Sequence, residues 1–451
     1  MSVIDTVVKA TVFDIPSATK LVDLKPEGKG IPFPEVVSFN YYESVLEDFI
    51  TADLTILDSA GLVDEAFDKC GVRQFCPIEI EFPDPSKGSK WNKNRPRAEF
   101  EFTGDNCFYV NNVSDQIIQG KKKQYTLELV NRDAIVALSK NVKSSWPPDS
   151  STKVDYNTIV DDLLGRYIST PKDKAPVMEY MTETIGKLQG HNFKVYELLN
   201  SMCKYATPKG TDGSGKEETR PAGYAFYETY GEYRFDPIHK LMTEPYRLKS
   251  AYKVMPVNDE QTGPEQASQT ILSYKFYDGA TQSSLLEEIA TKKRGKPETQ
   301  VLDVQRNTFT KIEKLPPKTV EDKCLKAASD SEFTTVKYLE QSQYQIEYYN
   351  TCDETALDNE PTNPELTSMN YGAMLDLLKT KISTIRVPGN LSLSAGDHLE
   401  LDFPLIKGDS GKAAEASDKY SGQYLITKIN HRVENISHLY THIEICKLVE
   451  S

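Results

Sequence analysis

The sequence predicts a mainly β protein with an α+β insertion: a β unit near each end of the chain and a mixed segment between them. Three observations predict it. Apolar and polar residues alternate from Ile385 to Val449, they alternate again in short runs between Val36 and Val130, and the period becomes helical after Asn131-Arg132-Asp133. A period of two puts successive side chains on opposite faces of a strand, whereas recurrence at three and four residues makes one stripe along a helix.

The C-terminal unit is the clearest. Leu399, Leu401 and Phe403 alternate with His398, Glu400 and Asp402, and Leu439, Thr441, Ile443 and Ile445 alternate with Tyr440, His442 and Glu444. Pro388-Gly389-Asn390, Gly396-Asp397 and Ser421-Gly422 supply the turns, because Gly accepts positive φ and Asn or Asp can bond its own backbone. A compact antiparallel unit, a small barrel, is expected. At the other end, LKPEGKGIPFPE separates an N-terminal arm from a fold that starts near Val36. VVSFNYYESV, ADLTILDSAGLV, the alternating Cys76–Phe82 segment, Ala98–Phe102 and Tyr125–Val130 make five short strands at loop-sized spacing, a small all-β domain. Its internal loop DPSKGSKWNKNRPR is basic and holds Trp91, either a partner anchor or a cover for the loop's own base.

Between these units, Ala134–Lys143 and Thr158–Ile168 read as helices. Val195, Leu198, Leu199, Met202, Cys203 and Ala206 share one face of a third, with Asn192 as its expected cap. After the flexible stretch PKGTDGSGKEETRPAG, the segment GYAFYETYGEYRFDPIHKLM presents two aromatic strands. Tyr224, Phe226 and Glu228 fall on one face and Ala225, Tyr227 and Thr229 on the other, a pattern that fits cross-strand packing better than a carbohydrate platform. Tyr371, Met374, Leu375, Leu378 and Ile382 recur at helical spacing just before the last unit.

Composition narrows the function. At 451 residues the chain can hold two to four domains. A formal charge of −14, from 53 Lys+Arg and 67 Asp+Glu, argues against a protein built to grip phosphates. Lys121-Lys122-Lys123 and Lys292-Lys293-Arg294 are read as solvated turns. No run of about 20 apolar residues occurs, so no membrane anchor is expected, and the N-terminus lacks a secretory pattern. Seven cysteines without CxxC spacing point away from a disulfide framework or a zinc site. His438 and His442 would lie roughly 13 Å apart on one strand face, too far to share a metal. No GxSxG, HExxH, P-loop or GxGxxG motif occurs, so no cofactor and no catalytic residue is expected, and His431 is read as a packed side chain. Glycoside hydrolysis needs two suitably spaced carboxylates, and Glu228 with Glu232 is the best available pair for a peptidoglycan hydrolase.

The VPGN step (Val387–Asn390), the LSAGD turn (Leu393–Asp397) and the SGQYLIT strand (Ser421–Thr427) leading to His431 resemble the C-terminal barrel of the baseplate hub proteins of contractile-tailed bacteriophages. FNYYESVLEDFITADLTILDSAGLV resembles the first barrel of that family, and LLNSMCKYA followed by PAGYAFYETYGEYRFDPIHKL its central domain. The resemblance implies two small tail-tube-like antiparallel β-barrels plus a central α+β domain. The implied division is an N-terminal arm at 1–30 and a first barrel at 31–135. A central domain would cover 136–290 and 315–370, and a discontinuous second barrel 291–314 and 371–451, with a strand near Val301–Ile312 joining those after Ile385.

It also implies a structural rather than enzymatic role. Three chains would form a homotrimeric ring whose paired modules meet a sixfold tail tube, in a virion tail assembled in the host cytoplasm. Partners would be the tail tube protein, the central spike protein, baseplate wedge proteins and the tape measure protein, with DNA passing through without specific binding. A hub or spike component of a related contractile injection system is the nearest alternative. Because unpaired strand edges can be satisfied by a neighbour, the candidate interface residues are Tyr41, Tyr42, Glu43 and Ser44 with Ser421, Gly422, Gln423 and Tyr424.

Overall fold

A computed structural model describes residues 35–61, 77–82, 100–120, 122–148, 153–168, 174–190, 192–209, 223–245, 247–254, 269–276, 382–403, 420–434 and 438–448. It also describes the single positions 63, 65, 371, 375 and 378, and the backbone of strands at 9–13, 20–24, 296–303, 308–312 and 342–349. Trp91 and its loop, Lys121, Lys292–Arg294, the stretch 210–222 and the polar loop 407–419 lie outside the described residues.

The first strands are β1 (Lys9–Phe13), β2 (Lys20–Leu24), β3 (Glu35–Ser44), β4 (Thr51–Asp58), β5 (Pro77–Phe82), β6 (Phe108–Gln119) and β7 (Lys122–Asn131). Helices α1 (Arg132–Ser139), α2 (Tyr156–Leu163) and α3 (Val195–Tyr205) follow, then the hairpin β8 (Tyr224–Glu228) and β9 (Glu232–Pro237) and helix α4 (Ile238–Thr243). Beyond them come β10 (Leu248–Lys253), β11 (Ser273–Phe276), β12 (Lys296–Asp303), β13 (Thr308–Ile312), β14 (Ser342–Tyr349), β15 (Ile382–Pro388), β16 (His398–Asp402), β17 (Gly422–Glu434) and β18 (His438–Lys447).

The two end units share one sheet, in the order β11-β15-β18-β17-β3-β4-β7-β6-β5-β1-β2. The joint is β3 against β17, antiparallel, with Ser44 opposite Lys428, Tyr41 opposite His431 and Ser38 opposite Glu434. Alternation along both strands makes this favourable. Phe39 and Tyr41 turn inward beside Leu54, Phe108 and Leu127, and Val433 and Leu439 from the C-terminal unit enter the same core. The other half of β17 pairs with β16, and the change of partner falls at the register shift between Ile426 and Lys428. An extra residue there bends the strand and turns a corner. No closed barrel is found among the described residues, because the edges of β3 and β17 that self-closure would need are hydrogen-bonded to each other.

Among the described residues, the strand expected near Val301–Ile312 does not join the C-terminal unit. β12 and β13 pair with each other and with β14 in a separate sheet, ordered β13-β12-β14. The strands that join come earlier, from residues 248–276, expected in the central domain. β11 runs antiparallel on β15, and β10 runs parallel on β16. Packing explains the choice: Tyr252 and Ile271 are buried with Leu399, Leu401, Phe403 and Ile443 in the C-terminal core.

In the central segment, Ile159, Leu163, Leu198 and Met202 pack on Tyr224, Phe226, Tyr233 and Phe235. The α1 helix begins earlier than its apolar period suggests and ends at Ser139, because Asn131 caps it, accepting the Ala134 N–H at 2.9 Å. Asn192 does not cap α3. It takes positive φ (62°), and Glu197 closes the first turn by accepting the Lys194 N–H at 2.8 Å. Residues 371, 375 and 378 are helical, and Leu378 packs with Val45, Ala395 and Leu425 where the units meet.

Candidate functional site

The structure places the candidate interface residues in two separate settings. Tyr41, Glu43 and Ser44 are buried where β3 meets β17, so this joint lies within one chain; Tyr42 is half-buried on the opposite, polar face. Ser421 closes a turn, accepting the Phe403 N–H at 2.8 Å and donating to the Phe403 carbonyl at 3.1 Å. Gly422 takes φ +133° and Gln423 is exposed, while Tyr424 is buried with its hydroxyl on the Tyr420 carbonyl at 2.5 Å. The two groups do not meet, since Tyr41–Ser44 face Lys428–His431 instead of Ser421–Tyr424.

Behind the joint lies a set of buried carboxylates that tie the three parts of the molecule together. Glu43 follows Phe39 and Tyr41 inward on β3 and is 1% exposed. One carboxylate oxygen accepts the Tyr41 hydroxyl at 2.8 Å and the Tyr230 N–H at 2.9 Å, and the other accepts the Ala395 N–H at 2.9 Å. A single side chain of the N-terminal unit thus holds the central hairpin and the C-terminal LSAGD turn. Burial pushes its pKa up to about 7, against the pull of those hydrogen bonds. The same cause raises Asp397 to about 6 and Asp48, which accepts from Asn200 at 3.1 Å, to about 7.

Glu228 makes a second tie. It accepts from the Ile50 N–H at 3.1 Å, from the Asn131 amide and from the Lys174 ammonium. Lys174 also faces Asp133 at 3.9 Å, and Asp133 accepts the Tyr233 hydroxyl. Burial lowers the Lys174 pKa to about 8, although Asp133 and Glu43 oppose the shift. In a third cluster, Asp236 accepts the Tyr227 hydroxyl at 2.9 Å and lies 3.6 Å from Arg247.

Chemically, these groups bond to one another and to backbone N–H groups across the three parts of the molecule. Glu228 is fully buried with both oxygens engaged, while Glu232 is partly exposed and paired with Arg234, so this pair cannot flank a glycosidic bond. The aromatic hairpin offers no platform either: Tyr224 stacks on Phe235 at 4.4 Å and Phe226 on Tyr233 at 5.9 Å, all buried. His431 is buried between the Thr441 hydroxyl and the Leu393 carbonyl, each at 3.2 Å, and burial lowers its pKa to about 4. Cys107, Cys203 and Cys446 are buried, and no group of side chains able to hold a metal occurs among the described residues. Sequence reasoning missed the structural role of Glu43. The signal was a carboxylate on the inward phase of an otherwise aromatic strand face.

No protein-family model matches the chain, and no curated protein does. Among solved structures, it is similar to the prophage MuSo2 43 kDa tail protein from Shewanella oneidensis, at 9% identity, with 98% of each chain covered and a TM-score of 0.50. The chain has the fold of phage tail proteins. A tail protein from Neisseria meningitidis MC58 matches at 8% identity over 98% of this chain and 96% of that one, with a TM-score of 0.48. A component of the E. coli type VI secretion system, itself similar to bacteriophage T4 tail proteins, matches at 9% identity over 93% and 75% of the two chains, with a TM-score of 0.39.

Proposed function

We propose that this chain is the structural hub of a phage tail baseplate. In this reading it forms a homotrimeric ring that joins a sixfold tail tube to a threefold central spike and surrounds the DNA channel. The observation that carries the reading is the edge-to-edge joint of β3 and β17. Two β modules in one chain already satisfy each other's backbone groups by lateral strand pairing, so the same mode can continue from chain to chain until the ring closes and no edge is left. β11 ends the described sheet on one side and is the strand offered to the next copy. Elsewhere on the sheet, exposed Gln423 and half-buried Tyr42 are the interface candidates open to a neighbour, and Tyr41, Glu43 and Ser44 act by keeping the modules in register.

The role is mechanical rather than enzymatic, with the tail tube, the central spike, wedge proteins and the tape measure protein as partners in the virion. DNA passes through without specific binding, in keeping with the charge of −14. The test is the mass of the purified chain by light scattering, alone and with its spike protein. A stable trimer is expected, and a chain that stays monomeric in both conditions overturns the reading.

A further inference from the structure

We infer that the polar face of the sheet over β17, β18, β15 and β11 is a docking site for an acidic polypeptide segment. Strand register builds the site. One row runs straight across the joint, Tyr42–Asn430–His442–Arg386–Ser273, each residue opposite the next. The adjacent row brings Lys428, Glu444, Thr384 and Lys275 alongside. The rows line a cavity of about 490 Å³ whose rim also includes Arg432. Four cations thus face one carboxylate, Glu444, on a chain whose formal charge is −14. At the rim, Glu47 lies 3.3 Å from Lys428 and Glu434 2.8 Å from Arg432.

Arg386 is the centre of the site. Its guanidinium lies 3.7 Å from the centroid of the Tyr440 ring, which fixes its plane, and it has no carboxylate partner among the described residues. Its Nε, the Asn430 Oδ1 and the His442 Nε2 are shut off from solvent and have no hydrogen-bond partner among the described residues.

The lining selects the occupant. Lysine and arginine can only donate, whereas the hydroxyls of Ser273 and Thr384 can also accept, so the ligand must bring both acceptors and donors. A polypeptide with Asp or Glu side chains brings carboxylates for the cations and N–H groups for the hydroxyls. A phosphodiester backbone brings acceptors alone.

The inference does not depend on the ring reading, because the site lies within one chain and its test reads binding instead of mass. The experiment is fluorescence anisotropy with the full chain and three labelled probes of matched length: an alternating Glu-Gly peptide, an alternating Lys-Gly peptide and oligothymidylate. The Glu-Gly peptide is expected to bind, to weaken roughly tenfold with R386Q, and to be released as salt shortens the Debye length. K275E, at an exposed position, is expected to weaken it as well, and unchanged melting of both variants shows that they fold. The Lys-Gly peptide and oligothymidylate are expected to bind more weakly than the Glu-Gly peptide. No binding of the Glu-Gly peptide, equal binding by wild type and both folded variants, or tighter binding of oligothymidylate overturns the inference.

Discussion

Glu43 and Ala395 stand at opposite ends of the chain, yet the Glu43 carboxylate accepts the Ala395 N–H at 2.9 Å inside the protein. The same carboxylate holds Tyr41 and Tyr230, so one side chain closes the N-terminal, central and C-terminal parts on each other. Glu43→Ala keeps the strand but leaves the three donors without their acceptor. A loss of about 1–3 kcal/mol is expected, the cost of a buried group left unsatisfied, and urea unfolding at pH 6 measures it.

The protonation of that group makes stability depend on pH. Glu43 and Asp48 are raised to about 7 by burial, so between the unfolded values and pH 7 the folded chain holds protons that the unfolded chain releases. The stability they contribute is complete at low pH and is lost as pH rises through 7; for Glu43 alone, the rise from 4.5 to about 7 amounts to roughly 3 kcal/mol. His431 acts in the opposite sense: its pKa is lowered to about 4, so its contribution is lost as pH falls from about 6.5 toward 4. Melting temperature is therefore expected to fall between pH 6 and 8, and to fall less in Glu43→Gln. A flat profile over that interval in the wild type refutes this account.

Lys174 and Glu228 provide a sharper test of buried charge. Lys174→Met leaves Glu228 without its cation, and a loss of about 3–5 kcal/mol is expected. Adding Glu228→Gln to that variant should restore much of the loss. A double variant no more stable than Lys174→Met would show that the ion pair is not what Glu228 needs.

Two glycines separate turn geometry from mere tolerance. At Gly396 φ is +84°, and an added Cβ would lie 2.0 Å from the Tyr227 hydroxyl; at Gly231 nothing lies within 4 Å. Gly396→Ala is expected to cost at least about 2 kcal/mol, from left-handed strain and overlap together, and Gly231→Ala less than about 1 kcal/mol. Paired thermal melts decide between this and a turn that simply yields.

The buried thiols give a probe of the intact fold. Cys107, Cys203 and Cys446 are expected to resist a maleimide in the native protein and to react on unfolding, as read by peptide mass spectrometry. Burial also keeps the Cys203 thiol well above its usual pKa, which lowers its thiolate fraction further. Rapid native labelling of Cys203 would contradict its placement.

Local pattern was legible in the sequence and pairing was not. The alternation of Leu399, Leu401 and Phe403 and of Ile443 and Ile445 located β16 and β18, and the helical stripe through Leu198 and Met202 located α3. Period two says which face a residue takes but not which strand lies alongside. That is why alternation over Val301–Ile312 does not reveal that β12 and β13 pair with β14, and why β10, with exposed Leu248 and one deeply buried ring, Tyr252, leaves no clear pattern. In the candidate interface, Tyr41 and Glu43 lie on the inward phase of β3, which marks them for burial. The row through Arg386, His442 and Asn430 was invisible for the same reason, since its members become neighbours only once four strands are in register.

The pairing of β3 with β17 also bears on how the molecule is made. A ribosome that has released β3 must synthesise almost all of the remaining chain before β17 emerges, and until then one flank of β3 has nothing to bond. Contacts that close so large a loop form late and slowly, and an uncovered strand is a template for unwanted association. The N-terminal unit should therefore emerge as an unfinished sheet, becoming safe from aggregation only when the last strands of its own polypeptide arrive.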